Sequence, residues 1–229
     1  MLKANKLSMQ YDDTLALKDL SFTVAPGEIF CLLGQNGAGK TTTINIFLGL
    51  IEPTSGEALI DGVIAKKKSV RNTLAYIPEV VQLYGNLSGL ENLDYFSRLA
   101  GFIYTKEGLK SLLKKVNLQE EAFNKRLVTY SKGMRQKVGI AIAIAKKASY
   151  ILMDEPTSGL DPKASVEFAE ICKELSANGV GILMTTHDIF NAVNIGSKIG
   201  IMKEGFLVHT TDTSKISAEE LQELYIKTI

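Results

Sequence analysis

Only two cysteines, Cys31 and Cys172, occur in the 229 residues, and they have no paired spacing. That speaks against a disulfide framework or a thiolate metal site; two buried thiols in a reducing compartment are expected instead. Nor does one sign of charge dominate, since 26 basic against 25 acidic residues leave a formal net charge of +1. No global field then draws nucleic acid or anionic lipid, and any such contact must be local. Long apolar runs are missing too. Stretches such as Ile140 to Ala145 fall far short of the ~18–20 residues that a spanning helix needs. Met1 to Lys6 is not backed by the apolar core of a leader. A soluble chain that stays where it is made is the expectation. Repeats, low-complexity tracts and a disordered linker are also lacking. The length suits one α/β domain with a smaller lobe, enough chain for a sizeable core.

What is present centres on Gly34-Gln35-Asn36-Gly37-Ala38-Gly39-Lys40-Thr41, which fills the pattern G-x-x-x-x-G-K-[ST]. Ile29 to Leu33 before it reads as a buried strand, and Thr42 to Leu50 after it as a helix opening at the last glycine. Glycines at 34, 37 and 39 allow a tight turn that converges successive N–H groups on an anion at a helix N-terminus, where the dipole also favours negative charge. A polyphosphate is the anion this suits. Lys40 reaches its outer phosphates as a point charge, and the Thr41 hydroxyl can ligate Mg²⁺.

Before this loop, Lys3 to Met9 is strand-like, with Tyr11 at its end. Leu20, Phe22 and Val24 then alternate with Ser21 and Thr23, which suggests an antiparallel edge. Glu57 to Ile64, with Asp61-Gly62, reads as a hairpin, and the run Lys66, Lys67, Lys68 as a solvated loop. From about Ser88 to Lys147 helical periodicity replaces strands. Ser88-Gly89-Leu90-Glu91 has capping-box spacing, Leu109, Leu112, Leu113 and Val116 make one apolar stripe, and a third helix runs from Ser131. Domain boundaries follow: 1–87 and 148–229 form a core with an antiparallel β subdomain, and 88–147 an inserted helical one. Tyr150 to Met153 is a buried strand ending at Asp154-Glu155, Asp161-Pro162 opens a helix ending near Gly179, and Gly181 to Thr186 is a strand ending at His187. Ile199–Met202 and Phe206–His209 form a hairpin, and the tail from Ser217 is helical.

Strand, helix, strand at this spacing predicts a parallel sheet with ligands at the carboxyl ends of its strands. The phosphate loop, Asp154-Glu155 and His187 all sit at such ends. Asp154 is placed to hold Mg²⁺ directly or through water, and Glu155 to orient or deprotonate an attacking water. His187 can hydrogen-bond a γ-phosphate.

Over nearly its whole length the chain resembles the ATP-binding subunits of ABC transporters. Gly34 to Thr42 looks like Walker A, Tyr150 to Glu155 like Walker B with its catalytic glutamate, and Ser158-Gly159-Leu160-Asp161 like the D-loop. Tyr130-Ser131-Lys132-Gly133-Met134-Arg135-Gln136 is similar to the signature that this family alone carries. His187 stands as the switch histidine, and Tyr11 where the family stacks an aromatic on adenine. Two places depart from the pattern. The usual signature is Leu-Ser-Gly-Gly-Gln, so Tyr130, Lys132 and Met134 are substitutions, while the phosphate-contacting Ser131 and Gly133 remain. Glu79 stands where the Q-loop has the glutamine that touches Mg²⁺ and faces the membrane partner; a carboxylate can still ligate through oxygen.

The resemblance implies a P-loop NTPase core with an antiparallel β edge subdomain and an inserted α-helical one. It also implies ATP as substrate, Mg²⁺ as cofactor, and a head-to-tail homodimer in which one subunit's phosphate loop faces another's signature helix. A separate membrane permease is implied as partner, with the chain held on the inner face of the cell membrane and no nucleic acid bound. The signature variant looks like that of exporters. The alternative is a non-transport ABC ATPase acting on a scaffold or cell-division complex.

Overall fold

Ile29–Gly34 (β3) is buried at every position, and its alternation feeds two different cores. Ile29, Cys31 and Leu33 face one hydrophobic cluster, whereas Phe30 and Leu32 face the other. A strand covered on both sides belongs in the middle of a sheet flanked by helices. In the computed structural model, which describes residues 1–229, β3 occupies that place. The six-stranded sheet runs β10-β9-β3-β8-β7-β6, with Leu74–Ile77 (β6), Tyr150–Asp154 (β7), Gly181–Thr186 (β8), Lys198–Lys203 (β9) and Phe206–Asp212 (β10). All pairings are parallel except the β9–β10 hairpin. Leu33 pairs with Thr186 and Asp154 with Thr185, so the carboxyl ends of β3, β7 and β8 emerge together.

Leu2–Tyr11 (β1), Thr14–Val24 (β2), Ser55–Ile60 (β4) and Val63–Ile64 (β5) form a separate antiparallel sheet, ordered β2-β1-β4-β5. It is a layer of its own, not an extension of the parallel sheet's edge. Lys40–Phe47 (α1) fills the space between the layers: Ile44, Ile46 and Phe47 join Phe22 and Phe30 in one core. Phe22 stacks on Phe30 at 5.0 Å between ring centroids.

Between β6 and β7 the chain makes no strand. Gly89–Leu99 (α2) starts with the reciprocal cap, Ser88 Oγ accepting from Glu91 N and Glu91 Oε2 from Ser88 N. Lys106–Lys115 (α3) buries Leu109, Leu112 and Leu113, with Val116 buried just beyond, and Lys132–Ala145 (α4) is capped by Ser131. Pro162–Ala177 (α5) follows β7, Ile189–Ile195 (α6) follows β8, and Ala218–Thr228 (α7) ends the chain. No helix is long and apolar enough to cross a membrane. Both cysteines are free and buried. Burial pushes the Cys31 thiol up to about 12 and raises Cys172 further, Cys31 adding to the second shift.

Candidate nucleotide site

Six of the seven α-helices begin at a Ser, Thr or Asp whose side chain accepts a hydrogen bond from the first turn. Helix α1 begins at Gly39, with no side-chain cap. The first N–H groups of a helix have no partner inside it, so this end is left with donors facing outward and the positive pole of the dipole behind them. Gly39 holds φ of +99°, and a Cβ there would lie 2.6 Å from the Ala16 carbonyl oxygen. At Gly34 a Cβ would lie 2.6 Å from the Met202 carbonyl oxygen. The cradle thus has its shape because side chains are excluded from it.

Lys40 lies across this cradle. Its side chain is 6% exposed, and Nζ donates to the carbonyls of Gly34 (2.7 Å) and Gln35 (3.2 Å). Glu155 Oε1 is 3.3 Å from the same Nζ but accepts no aligned hydrogen bond, leaving a buried oxygen with unused capacity. A buried ammonium held mainly by carbonyls can exchange those partners for phosphate oxygens at little cost.

Asp154 ends β7 with Oδ1 accepting from Thr185 Oγ1 at 2.5 Å and from Thr41 Oγ1 at 3.3 Å. Glu155 follows at φ of +46°, the left-handed region that a non-glycine residue rarely enters. This turn is pinned by Thr185, whose Oγ1 and carbonyl both accept from Glu155 N. It aims the carboxylate back at Lys40 on one side and at His187 on the other, where Nδ1 donates to Oε2 at 2.9 Å. Two phenols register the acidic field: burial and then the charge of Asp154 raise Tyr76, and burial and then the charge of Glu155 raise Tyr225 on α7.

Tyr11, Gln35, Asn36, Gly37, Gly39, Lys40, Thr41, Thr42, Glu79, Asp154 and Glu155 thus line one cavity of about 400 Å³. Gly34 and Ala38 complete the loop beneath it. His187 lines a neighbouring cavity of about 430 Å³ that shares Glu155. Ser131 and Gly133 line a third, with Leu118 and Asp161, which has no residue in common with the first. Glu79 faces the first cavity, but its carboxylate is engaged by Ser158 Oγ at 2.9 Å and Lys132 Nζ at 3.5 Å. The sequence reading missed Thr185, a β-branched residue in an apolar strand that gave no sign of its hydroxyl's work.

A divalent cation is tested by the donors here. Thr41 and Asp154 offer neighbouring hard oxygens, and no three His, Cys, Asp or Glu side chains converge into a cage. That suits Mg²⁺, which takes one or two carboxylates and completes its shell with substrate phosphates and water.

These relations define a P-loop nucleoside triphosphatase, in which positioned charge does most of the work on a phosphoryl group. The family whose sequence profile matches residues 17–158 is described as ABC transporter. Over 207 residues the chain is 36% identical to the ABC transporter ATP-binding protein YxlF of Bacillus subtilis (strain 168), covering 90% of this chain and 68% of that one. With the bacitracin transport ATP-binding protein BcrA of Enterococcus faecalis it shares 34% identity over 219 residues, 94% of this chain and 70% of the relative. Among solved structures, the dimeric ATP-binding cassette MJ0796 in a post-hydrolysis state with ADP and Pi superposes with a TM-score of 0.82. Identity there is 28%, and the match covers 93% of this chain and 99% of that one. The chain belongs to the ABC transporter family and is an ATP-binding, ATP-hydrolysing cassette of it.

Proposed function

We propose that two copies of this chain clamp two ATP molecules head to tail and drive export through a separate membrane permease. The observation that carries the dimer is the separation of the two half-sites: Ser131 and Gly133 line a cavity apart from the phosphate loop of their own chain. A serine-tipped helix N-terminus is suited to the γ-phosphate, and a second copy can bring it there. The dimeric state of MJ0796 supports this. Bacitracin transport, the role for which BcrA is named, supports a transporter, and the signature variant Tyr130 to Gln136 is what favours export.

In this reading Lys40 and the N–H groups of residues 34–42 hold the phosphates, Thr41 and Asp154 hold Mg²⁺, Glu155 orients and deprotonates the attacking water, and His187 contacts the γ-phosphate. When bound, Mg²⁺ neutralises charge developing on the phosphates. Glu79 stands on the metal side, and residues 88–147 act as a helical lobe facing the permease. Apolar side chains exposed there, Tyr95, Leu99 and Ile103, with Tyr84 just ahead of the lobe, offer it a surface on the inner face of the membrane.

Ser131→Arg should leave nucleotide binding by the single subunit intact and keep the chain monomeric in Mg·ATP, read by sedimentation velocity. A variant that still dimerises on ATP sinks the clamp. Tyr11, 42% exposed at the end of β1, is assigned to adenine. Stacking is worth about 1–3 kcal/mol per base, so Tyr11→Ala should weaken ATP about 5- to 100-fold. Affinity for inorganic triphosphate, which has no base, should not change; equal losses for both ligands, or no loss for ATP, remove Tyr11 from that role.

A further inference from the structure

Three segments meet at one carboxylate. Glu79, in the loop after β6, accepts from Ser158 of the loop after β7 and pairs with Lys132 in the first turn of α4. Its backbone is fixed from the same helix, because Gln136 Nε2 donates to the carbonyls of Pro78 (3.2 Å) and Glu79 (3.1 Å). The Gln136 side chain is buried, so this backbone clamp holds while the ion pair above it can change.

Glu79 and Lys132 both stand at places where the sequence departs from the motifs it resembles, and their charges are opposite. Their side chains are 51% and 30% exposed. An ion pair so wet shifts a folding equilibrium only about 1.4- to 5-fold, too little for stability to be its main consequence. Its position is more informative. Glu79 lines the ATP cavity beside Thr41 and Asp154, whereas Lys132 adjoins Ser131, which in the clamp serves the other nucleotide.

We propose that Lys132 is a positioning residue: through Glu79 it ties the signature end of α4 to the ATP cavity of its own protomer, linking the two sites of the dimer. The physical basis is competition. Glu79, beside the Thr41 and Asp154 oxygens that would hold Mg²⁺, would share its carboxylate between that charge and Lys132, and Lys132 would exchange Glu79 for phosphate oxygens. Either pull moves the tip of α4, and with it the serine offered to the second nucleotide. Such a link needs only a different interaction in two states, and it runs equally in both directions. The proposal rests on the head-to-tail dimer above.

The test is steady-state hydrolysis against ATP concentration for the parent chain, Lys132→Gly, Glu79→Gln and the double variant. The parent should be cooperative. Each single variant should lower the Hill coefficient toward one and raise the half-saturating ATP concentration about 2- to 5-fold. The double variant should be no worse than the poorer single, because residues acting as one unit are not additive. Lys132→Arg keeps the charge and should keep cooperativity, an outcome that a purely structural role does not predict. Thermal unfolding confirms that each variant is folded. A non-cooperative parent, coefficients unchanged in both singles, or effects that multiply in the double overturn the link. Sedimentation of Glu155→Gln in Mg·ATP separates the two ideas: a persistent monomer removes the dimer and the link together, whereas a dimer with unchanged coefficients removes the link alone.

Discussion

Glu155→Gln is expected to lower steady-state ATP turnover by about 10²–10⁴-fold, the contribution of a positioned general base, while ATP still binds. The amide preserves the volume of a side chain that is 16% exposed, and its carbonyl can face Lys40 Nζ, which now lies 3.3 Å from Oε1. What it loses is proton affinity. With the carbonyl toward Lys40 the amide nitrogen faces His187, 2.9 Å from Oε2 in the parent, and the imidazole keeps the local network by taking the tautomer in which Nδ1 accepts from the amide N–H. The left-handed backbone at Glu155 is held by Thr185 and does not depend on the side chain. Binding and chemistry should therefore separate, and under the proposed clamp a chain that binds without hydrolysing should accumulate as the ATP-loaded dimer. Phosphate release and sedimentation in Mg·ATP read the two arms. Turnover within about 3-fold of the parent would falsify the role of Glu155, since that is far below what a general base supplies.

Much of the fold was legible because the informative segments are periodic or punctuated. β3, β7 and β8 announce themselves as short apolar runs ending in polar residues, and α2, α3 and α5 by their caps and stripes. The unread elements are the short ones. β6 has four residues, only Leu74 and Ile77 of them buried, and α6 has seven, less than two turns of pattern. Lys68 also begins a 3₁₀ turn where the sequence suggested only a basic loop. At the site, the loop glycines, Lys40, Asp154 and Glu155 were visible because their residue types follow from phosphate chemistry. Thr185 was not, since only the β7–β8 register puts its hydroxyl on Asp154. The Glu79–Lys132 pair was invisible for the same reason: each residue stood out alone as a departure, but spacing in sequence does not carry a contact between two loops and a helix.

Lys40→Ala carries the second large effect, a loss of ATP affinity of about 10–100-fold, as befits a charge-assisted hydrogen bond worth about 1.5–3 kcal/mol. Two further consequences push toward the upper end. The Gly34 and Gln35 carbonyls lose their donor, and Glu155, 3.3 Å away and mostly buried, loses its nearest cation. An uncompensated carboxylate then faces the incoming triphosphate, so repulsion adds to the missing attraction. Lys40→Arg should not restore binding, because the 6% exposed ammonium acts as a compact point charge on the Gly34 and Gln35 carbonyls, a geometry that a planar fork of five donors does not reproduce. Glu155→Gln in the Lys40→Ala background should recover part of the loss, since it removes the charge left behind, and that recovery measures how much of the effect was repulsion. Calorimetric titration with Mg·ATP, beside thermal unfolding to show that the variants are folded, decides the matter. An affinity within about 3-fold of the parent, less than any charge-assisted bond contributes, means that Lys40 keeps its ammonium on the Gly34 carbonyl and leaves the phosphates to the backbone.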